Sequence, residues 1–459
     1  MKTGPGKKTH AKNDLTQGVV WKSLLIFFLP IAAGTCIQQL YNAVDGLIVG
    51  RFVGTAALAA VGGSSAQIIN LLIGFFVAAT AGASVIIAQI YGAGRGKDVA
   101  RAAGNAFTMF AILGVALMLI GLAGARVMLT ILKTPSETIP GALLYLRIYF
   151  IGVPFILVLN MESNMLRAVG DSFGPFLYMV AGCLTNIVLD VVFVVVFQWG
   201  IAGVAIATVL SQVLNMVLLT IRLWRTQEEY RLTLSCLGFH GGYIRKMLQL
   251  GVPSGLQSSM YAVSNMIIQV AVNSLGTLVV ASWAMTSKTD GIFWAVSNAL
   301  GAAITSFIGQ NYGAGRQDRV KQCLVQGLIL AEIITIVICT LLLAFGIPLL
   351  QVLTNDPEVV RTTYKMMTYF VPAYVLWAVI EVLSAILRGS GDTLRPFLIV
   401  SLGICAVRIL WILTAFQIRH TLFVLCLCYA VSWAITSVAL VIYYRKGTWM
   451  DPGRRVMDH

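Results

Sequence analysis

Apolar residues in this chain gather into long runs separated by short polar stretches. A membrane-spanning helix needs about 20 predominantly apolar residues. Twelve stretches are long enough: 23–50, 56–90, 103–125, 139–165, 174–198, 200–222, 247–273, 277–310, 323–350, 363–387, 396–418 and 421–444. Each is expected to be a helix that crosses a bilayer. After the second run stands QIYGAGRGKDV, beginning at Gln89, and after the eighth stands QNYGAGRQDRV, beginning at Gln310, 221 positions later. A glycine loop that cradles phosphate follows a strand and opens a helix whose N–H groups face the anion. Both phrases here follow apolar helices instead. They read as tight turns between helices, with basic residues beside them.

Composition agrees with the runs. The chain has 459 residues, 58% hydrophobic and only 11% charged, with a mean hydropathy of +0.86. An ordinary soluble domain is about 25% charged. A net charge of +14 raises the question of nucleic acid, but the placement of the charge argues against it. With a cytoplasmic N-terminus, 23 of the 32 Lys and Arg fall in the tails and the alternate loops on the cytoplasmic side. That is the positive-inside bias of a polytopic membrane protein. Both termini are then cytoplasmic, and the expected location is the cell inner membrane. The longest basic connector, with RLWRTQEEYRL, divides the chain. The expected organisation is a tail (1–22), an N-lobe of six spans (23–222), a connector (223–246), a C-lobe of six spans (247–444) and a second tail (445–459). Residues 1–22 are polar and lysine-rich and lack a signal-peptide cleavage pattern, so the first run reads as a retained helix.

The eight cysteines show no metal spacing, and Cys426 and Cys428 point to different faces of one helix. They read as buried, inert thiols. The four histidines, His10, His240, His420 and His459, lie in termini or loops. An integral membrane enzyme acting on lipid needs a histidine, a Ser–His pair or a metal cluster within its spans. The spans offer none.

The repeat reaches beyond YGAGR. LRAVGDSFGPF (from Leu166) matches LRGSGDTLRPF (from Leu387), again 221 apart, in the short loop between the fourth and fifth spans of each half. Tyr41–Asp45 (YNAVD) meets Tyr261–Asn265 (YAVSN) at an offset of 220, with Pro30 and Pro253 nearby. Six spans per half is an even number, so the copies share one topology and are expected to be related by a two-fold axis along the membrane normal. Parallel repeats of this kind are a transporter architecture with the substrate site between the halves.

On YNAVDGLIVGRFVG in the first span, YGAGR after spans two and eight, the LRAVGD and LRGSGD turns and the 6+6 layout, the chain resembles a multidrug and toxic compound extrusion (MATE) transporter over essentially its whole length. The resemblance implies an all-α integral membrane fold of twelve helices in two pseudo-two-fold-related bundles. It also implies a secondary antiporter with no cofactor. Such a protein exports organic cations and other amphipathic molecules in exchange for protons or sodium ions. The expected partners are those small molecules and the lipid bilayer, with no nucleic acid, and the chain is expected to be a monomer. A lipid-linked oligosaccharide flippase of the same wider fold group is the alternative. It calls for a strongly basic central cavity and often fourteen spans.

Ionisable residues inside spans are costly and by default functional. Asp45 lies about six residues, or roughly 9 Å, from the outer end of span 1. Asp190 is at about the same depth in span 5, with Asn186 one turn further in. Thr208 in span 6 is roughly 12 Å from its outer end. Two carboxylates, an amide and a hydroxyl from three helices then share one layer of the N-half. This all-oxygen set suits a proton or a hard cation such as sodium. The family's DinF-like branch carries an aspartate in helix 1, an Asn-x-x-x-Asp pair in helix 5 and a threonine in helix 6, and these fall on Asp45, Asn186, Asp190 and Thr208. The competing reading pairs the acids with Arg147 on span 4. The C-half lacks the set: Asn265, Trp411 and Val407 stand opposite Asp45, Asp190 and Asn186. Span 7 has no acidic residue in its middle, which departs from the family's NorM-like branch and favours DinF-like coupling.

Other polar and aromatic residues remain. Lys288 and Asp290 in span 8 and Arg408 in span 11 are expected either to form a buried ion network or to serve substrate binding or gating. Glu162 and Glu381 on the fourth span of each half are expected to pair with the Arg of the nearby LRxxGD turn. Pro30 frees a carbonyl in span 1 and bends it. In the family that bend is proposed to accompany protonation, and a static kink is the other reading. Tyr41, Tyr261, Asn265, Met285, Trp294 and Trp377, together with Tyr374, are candidates to line an adaptable substrate cavity.

Overall fold

In a bilayer every backbone N–H and C=O must be bonded within the protein, so an apolar run of this length becomes a helix. The computed structural model describes residues 14–447 and 449, and its regular elements are all helical. The N-half holds α1 (Val20–Val53), α2 (Ala56–Gly92), α3 (Gly96–Ile131), α4 (Ile139–Ala168), α5 (Phe173–Val196) and α6 (Gly200–Arg225). The C-half holds α7 (Gly241–Ser274), α8 (Thr277–Thr289 and Gly291–Gly313), then α9 (Gln317–Ala344), α10 (Pro357–Ser390), α11 (Leu394–Ile418) and α12 (Leu422–Arg445). Among the described residues eleven helices are long and apolar enough to cross a membrane. The twelfth, α7, is 34 residues long, about 51 Å at the α-helical rise. Its Gln257, Ser258, Asn265 and Gln269 face cavities, which makes it the least apolar span. Residues 1–13, 448 and 450–459 of the expected tails, with His10 and His459, lie outside the described residues.

Local sequence explains the departures from straight helices. Gly62–Gly63 breaks α2, Pro372 forces a 3-10 turn into α10, and α8 is interrupted at Asp290, ahead of Gly291. The run 277–310 is therefore two helical segments rather than one. Wider π turns occur at Val49–Val53, Ile69–Ile73, Val191–Val196 and Ser401–Ala406. Such turns in membrane helices often accompany functional sites.

The repeated phrase has a double structural role. The second glycine of each YGAGR adopts a left-handed backbone, φ +71° at Gly94 and +73° at Gly315, which only glycine does without strain. The first glycine lies on the seam between the halves. A Cβ on Gly92 would sit 2.0 Å from the Gln310 backbone, and one on Gly313 would sit 2.0 Å from the Gln89 backbone. The preceding glutamines complete a reciprocal latch. Gln89 Nε2 donates to the Gly389 carbonyl at 3.0 Å, and Gln310 Nε2 donates to the Ala168 carbonyl at 2.8 Å. Each YGAGR helix end thus holds the LRxxGD turn of the opposite half, and the two halves are closed against each other at this end. The turn aspartates are anchored in parallel. Asp171 pairs with Arg222 of α6, and Asp392 accepts from Tyr443 of α12, the residue 221 positions after Arg222.

One helix breaks the symmetry. The first part of α1, Val20 to Ala32, is buried in one core cluster with Phe293, Leu300 and Ile304 of α8. The later part packs on α5, where Gly34 admits the Met179 side chain. Pro30 sits near this crossover, inside a helix that runs on to Ile48. Leu15, Gln17 and Gly18 give their carbonyls to the Arg319 guanidinium at 2.6–3.1 Å, so the segment before α1 is tied to the C-half as well.

Each glutamine bond of the latch is worth about 1 kcal/mol, roughly a fivefold change in an open–closed equilibrium. With spin labels at Lys97→Cys and Asp318→Cys in a cysteine-free background, Gln89→Ala and Gln310→Ala should each raise the long-distance population between the labels. An unchanged distance distribution in the double variant would disprove the latch.

Candidate functional site

Three adjoining cavities open inside the bundle. The N-half cavity, about 380 Å³, is lined by Tyr41, Tyr149, Asn186, Ser211 and Asn215 among others. The C-half cavity, about 530 Å³, is lined by Tyr261, Asn265, Asp290, Trp294, Trp377 and Arg408 among others. A third, about 340 Å³, lies between the halves and shares Asn164 and Arg167 with the first and Tyr261 and Trp377 with the second. The two larger volumes fall in the range of small-molecule pockets.

The N-half acids come together. Asn186 and Asp190 are one turn apart on α5, hence on one face, and are 1% and 0% exposed. Asp45 of α1 is half-buried and lies within electrostatic reach of Asp190. Tyr41 of α1 and Tyr145 of α4 lie within the same electrostatic reach. Both oxygens of Asp190, both polar atoms of Asn186 and Oδ1 of Asp45 are buried with no protein hydrogen-bond partner. A buried polar group left so costs about 1–3 kcal/mol, and more if charged. Thr208 of α6 is 7% exposed and spends its proton on the Val204 carbonyl at 3.0 Å, which leaves its oxygen lone pairs for another partner. The competing basic partner is elsewhere. Arg147 is exposed while Tyr145 and Leu146 beside it are buried, and among the described residues no ion pair joins it to an acid. Among the described residues there is also no group of three or more His, Cys, Asp or Glu. Two carboxylates with amide and hydroxyl oxygens match a proton or a hard monovalent cation better than a transition metal. Periodicity did not single out Tyr145 and Tyr149. Their signal was two tyrosines one turn apart on the inner face of α4.

The C-half is built differently. Asp290 Oδ2 accepts from Tyr374 OH at 2.9 Å and from Trp294 Nε1 at 3.1 Å. Trp377 Nε1 donates to Ser297 at 2.9 Å, and its ring meets Trp294 edge-on at 4.9 Å. Arg408 is 5% exposed, lies 3.9 Å from the Tyr429 ring centroid and donates Nε to Ser432 at 3.2 Å. Of the two readings of Lys288, Asp290 and Arg408, the ion network finds no support: among the described residues no ion pair joins them. Lys288 is exposed, because two residues along a helix turn it about 200° away from Asp290. Met285 packs on the core rather than lining the cavity. Tyr41 lines the N-half cavity instead. Trp411 donates to the Val424 carbonyl at 2.9 Å. Tyr429 and Trp433 of α12, one turn apart, join the cavity wall. They stand 221 positions after Thr208 and Gln212, and that offset was the available clue.

The two glutamates of the fourth spans also differ. Glu381 pairs with Arg388 at 2.9 Å. Glu162 instead accepts from Thr220 at 2.5 Å, and Arg167 Nε is buried without a partner. Helix geometry gives the reason. A spacing of seven brings Glu381 and Arg388 onto one face, whereas a spacing of five turns Arg167 about 140° from Glu162.

This architecture defines a polytopic transporter with a duplicated fold. The family model described as MatE matches residues 30–192 and 253–414, one copy in each half. The chain is 30% identical over 462 residues to the probable multidrug resistance protein YpnP of Bacillus subtilis, covering 95% of this chain and 97% of that one. It is 24% identical to the probable multidrug resistance protein NorM of Thermotoga maritima over 84% of each chain. Its fold is similar to that of a MOP superfamily transporter from Pyrococcus furiosus, with a TM-score of 0.89 at 21% identity over 95% of this chain and 98% of the other. The chain belongs to the MATE family of multidrug efflux transporters and is not an enzyme.

If the aspartates lean on no basic side chain, Arg147→Ala should leave ion-driven dye efflux in vesicles within about twofold of the parent, a surface substitution being worth about 0.5 kcal/mol or less. A loss as large as that from removing an aspartate would restore the Asp–Arg147 pairing.

Proposed function

We propose that this protein is a secondary antiporter of the DinF-like type. It exports organic cations and other amphipathic molecules in exchange for protons or sodium ions, which enter through Asp45, Asn186, Asp190 and Thr208. The observation that carries the reading is the set of buried polar atoms on Asn186, Asp190 and Asp45 that no protein group bonds. In low dielectric, two neighbouring carboxylates without a base must take up a proton or a cation.

Binding of that ion and of substrate are coupled when each favours a different arrangement of the halves, since each can shift the equilibrium only by its differential affinity. The placement of α1 supports such coupling. It carries Asp45 into the N-half while its first turns are packed into the C-half, so a change of charge at Asp45 acts on a helix shared by both bodies. Pro30 near the crossover is the proposed hinge. Under the positive-inside reading the latched YGAGR end faces the cytoplasm, so the present arrangement is closed to that side.

Asp45→Asn and Asp190→Asn should each abolish coupled efflux in proteoliposomes while the protein still inserts and elutes as the parent does. Proton and sodium gradients are imposed separately, which also identifies the ion. Parental rates in both variants would exclude the N-half site. In the C-half, Asn265→Ala and Trp411→Phe should change the relative rates of two unlike cations but leave the pH and sodium midpoints in place, since neither an amide nor an indole exchanges protons near neutral pH. A moved midpoint with unchanged relative rates would place coupling in the C-half too.

A further inference from the structure

The C-half cavity holds a buried guanidinium that, among the described residues, forms no ion pair. Arg408 is buried at 5% exposure and lines the cavity. Tyr429 covers one face of its guanidinium at 3.9 Å, with Trp433 at 5.6 Å, and Ser432 takes the Nε proton. Among the described residues no carboxylate lies within 4.0 Å of it and its terminal nitrogens have no protein acceptor. The acid of the same cavity, Asp290, accepts on Oδ2 from Tyr374 and Trp294 and makes no ion pair with Arg408. The guanidinium is thus held at its back and side, with its terminal N–H edge free. That edge matches the two oxygens of a carboxylate or phosphate. The indole rings around it suit a flat aromatic body.

We propose that the C-half cavity is a binding site for aromatic amphiphiles bearing an oxyanion, with Arg408 as its specificity determinant. The two halves then divide the guests: the Asp45–Asp190 site of the N-half serves the coupling ion, and Arg408 in the C-half adds a preference for amphiphiles with a negatively charged end. This deepens the transporter reading above and rests on it for the guest being cargo, but binding itself needs no ion gradient.

The test uses the full chain in phosphatidylcholine nanodiscs and equilibrium dialysis, with empty nanodiscs subtracted. The probes are three naphthalenes of one shape: 2-naphthoate, neutral 2-naphthamide and the trimethyl-2-naphthylammonium cation. Naphthoate should bind at least tenfold tighter than naphthamide. Arg408→Gln should remove that preference, while Arg408→Lys retains most of it and the cation binds the Gln variant no worse than the parent. Equal binding of naphthoate and naphthamide to the parent would overturn the proposal, and this comparison needs no variant to fold. Equal losses for all three probes in Arg408→Gln would also overturn it. Displacement of naphthoate by phosphatidylglycerol in the nanodisc would overturn it in favour of a lipid headgroup. These titrations impose no ion gradient, so failure of ion-driven transport and failure of this site are separable.

Discussion

A polar atom in the middle of a bilayer costs several kcal/mol unless something bonds it, and that penalty orders this molecule. It turns every apolar run into a helix and turns the polar side chains of those helices inward, onto cavities. It also makes the few unbonded atoms conspicuous. Asn186 and Asp190, nearly or wholly buried and unbonded, persist in a protein where Thr208, Thr220 and Ser432 each find a carbonyl or carboxylate partner. Under the proposed function, a proton or cation that visits them offsets that cost.

Duplication supplies the frame, and divergence supplies the chemistry. At the seam the two copies remain near-identical. The latch glutamines, close-packed glycines and left-handed turns recur at matching positions because both halves must fit the same interface. Inside the halves that constraint is absent. The position of Thr208 is taken by Tyr429, that of Arg222 by Tyr443 and that of Asp190 by Trp411. The N-half cavity is lined by tyrosine and amide side chains with Arg167, and the C-half cavity by aromatic rings with Asp290 and Arg408.

The helix that escapes the symmetry ties the two chemistries together. α1 begins in the C-half core and carries Asp45 within electrostatic reach of Asp190, so one helix is packed into both halves. Under the proposed coupling, Asp45 near its far end and Pro30 near its crossover are where a local change of charge would act on the interface.

Much of this was legible in the sequence. Run lengths fixed the number and order of helices, because bilayer thickness sets one length for all of them. The repeated phrases gave the duplication, and depth counting, because helical rise is constant, put Asp45, Asn186, Asp190 and Thr208 in one expected layer, of which the structure brings Asp45 within electrostatic reach of Asp190. Facing was beyond reach, because it depends on which neighbours each helix meets. Sequence could not tell that Arg147 turns outward, that Lys288 leaves the cavity, that Glu162 bonds Thr220 rather than Arg167, or that Tyr145, Tyr149, Tyr429 and Trp433 turn inward. Nor could it place the first turns of α1 in the opposite half. One-dimensional spacing records distance along each helix. Rotation about each axis, and the choice of neighbour, were decided only when the twelve helices packed together and buried their polar faces on one another.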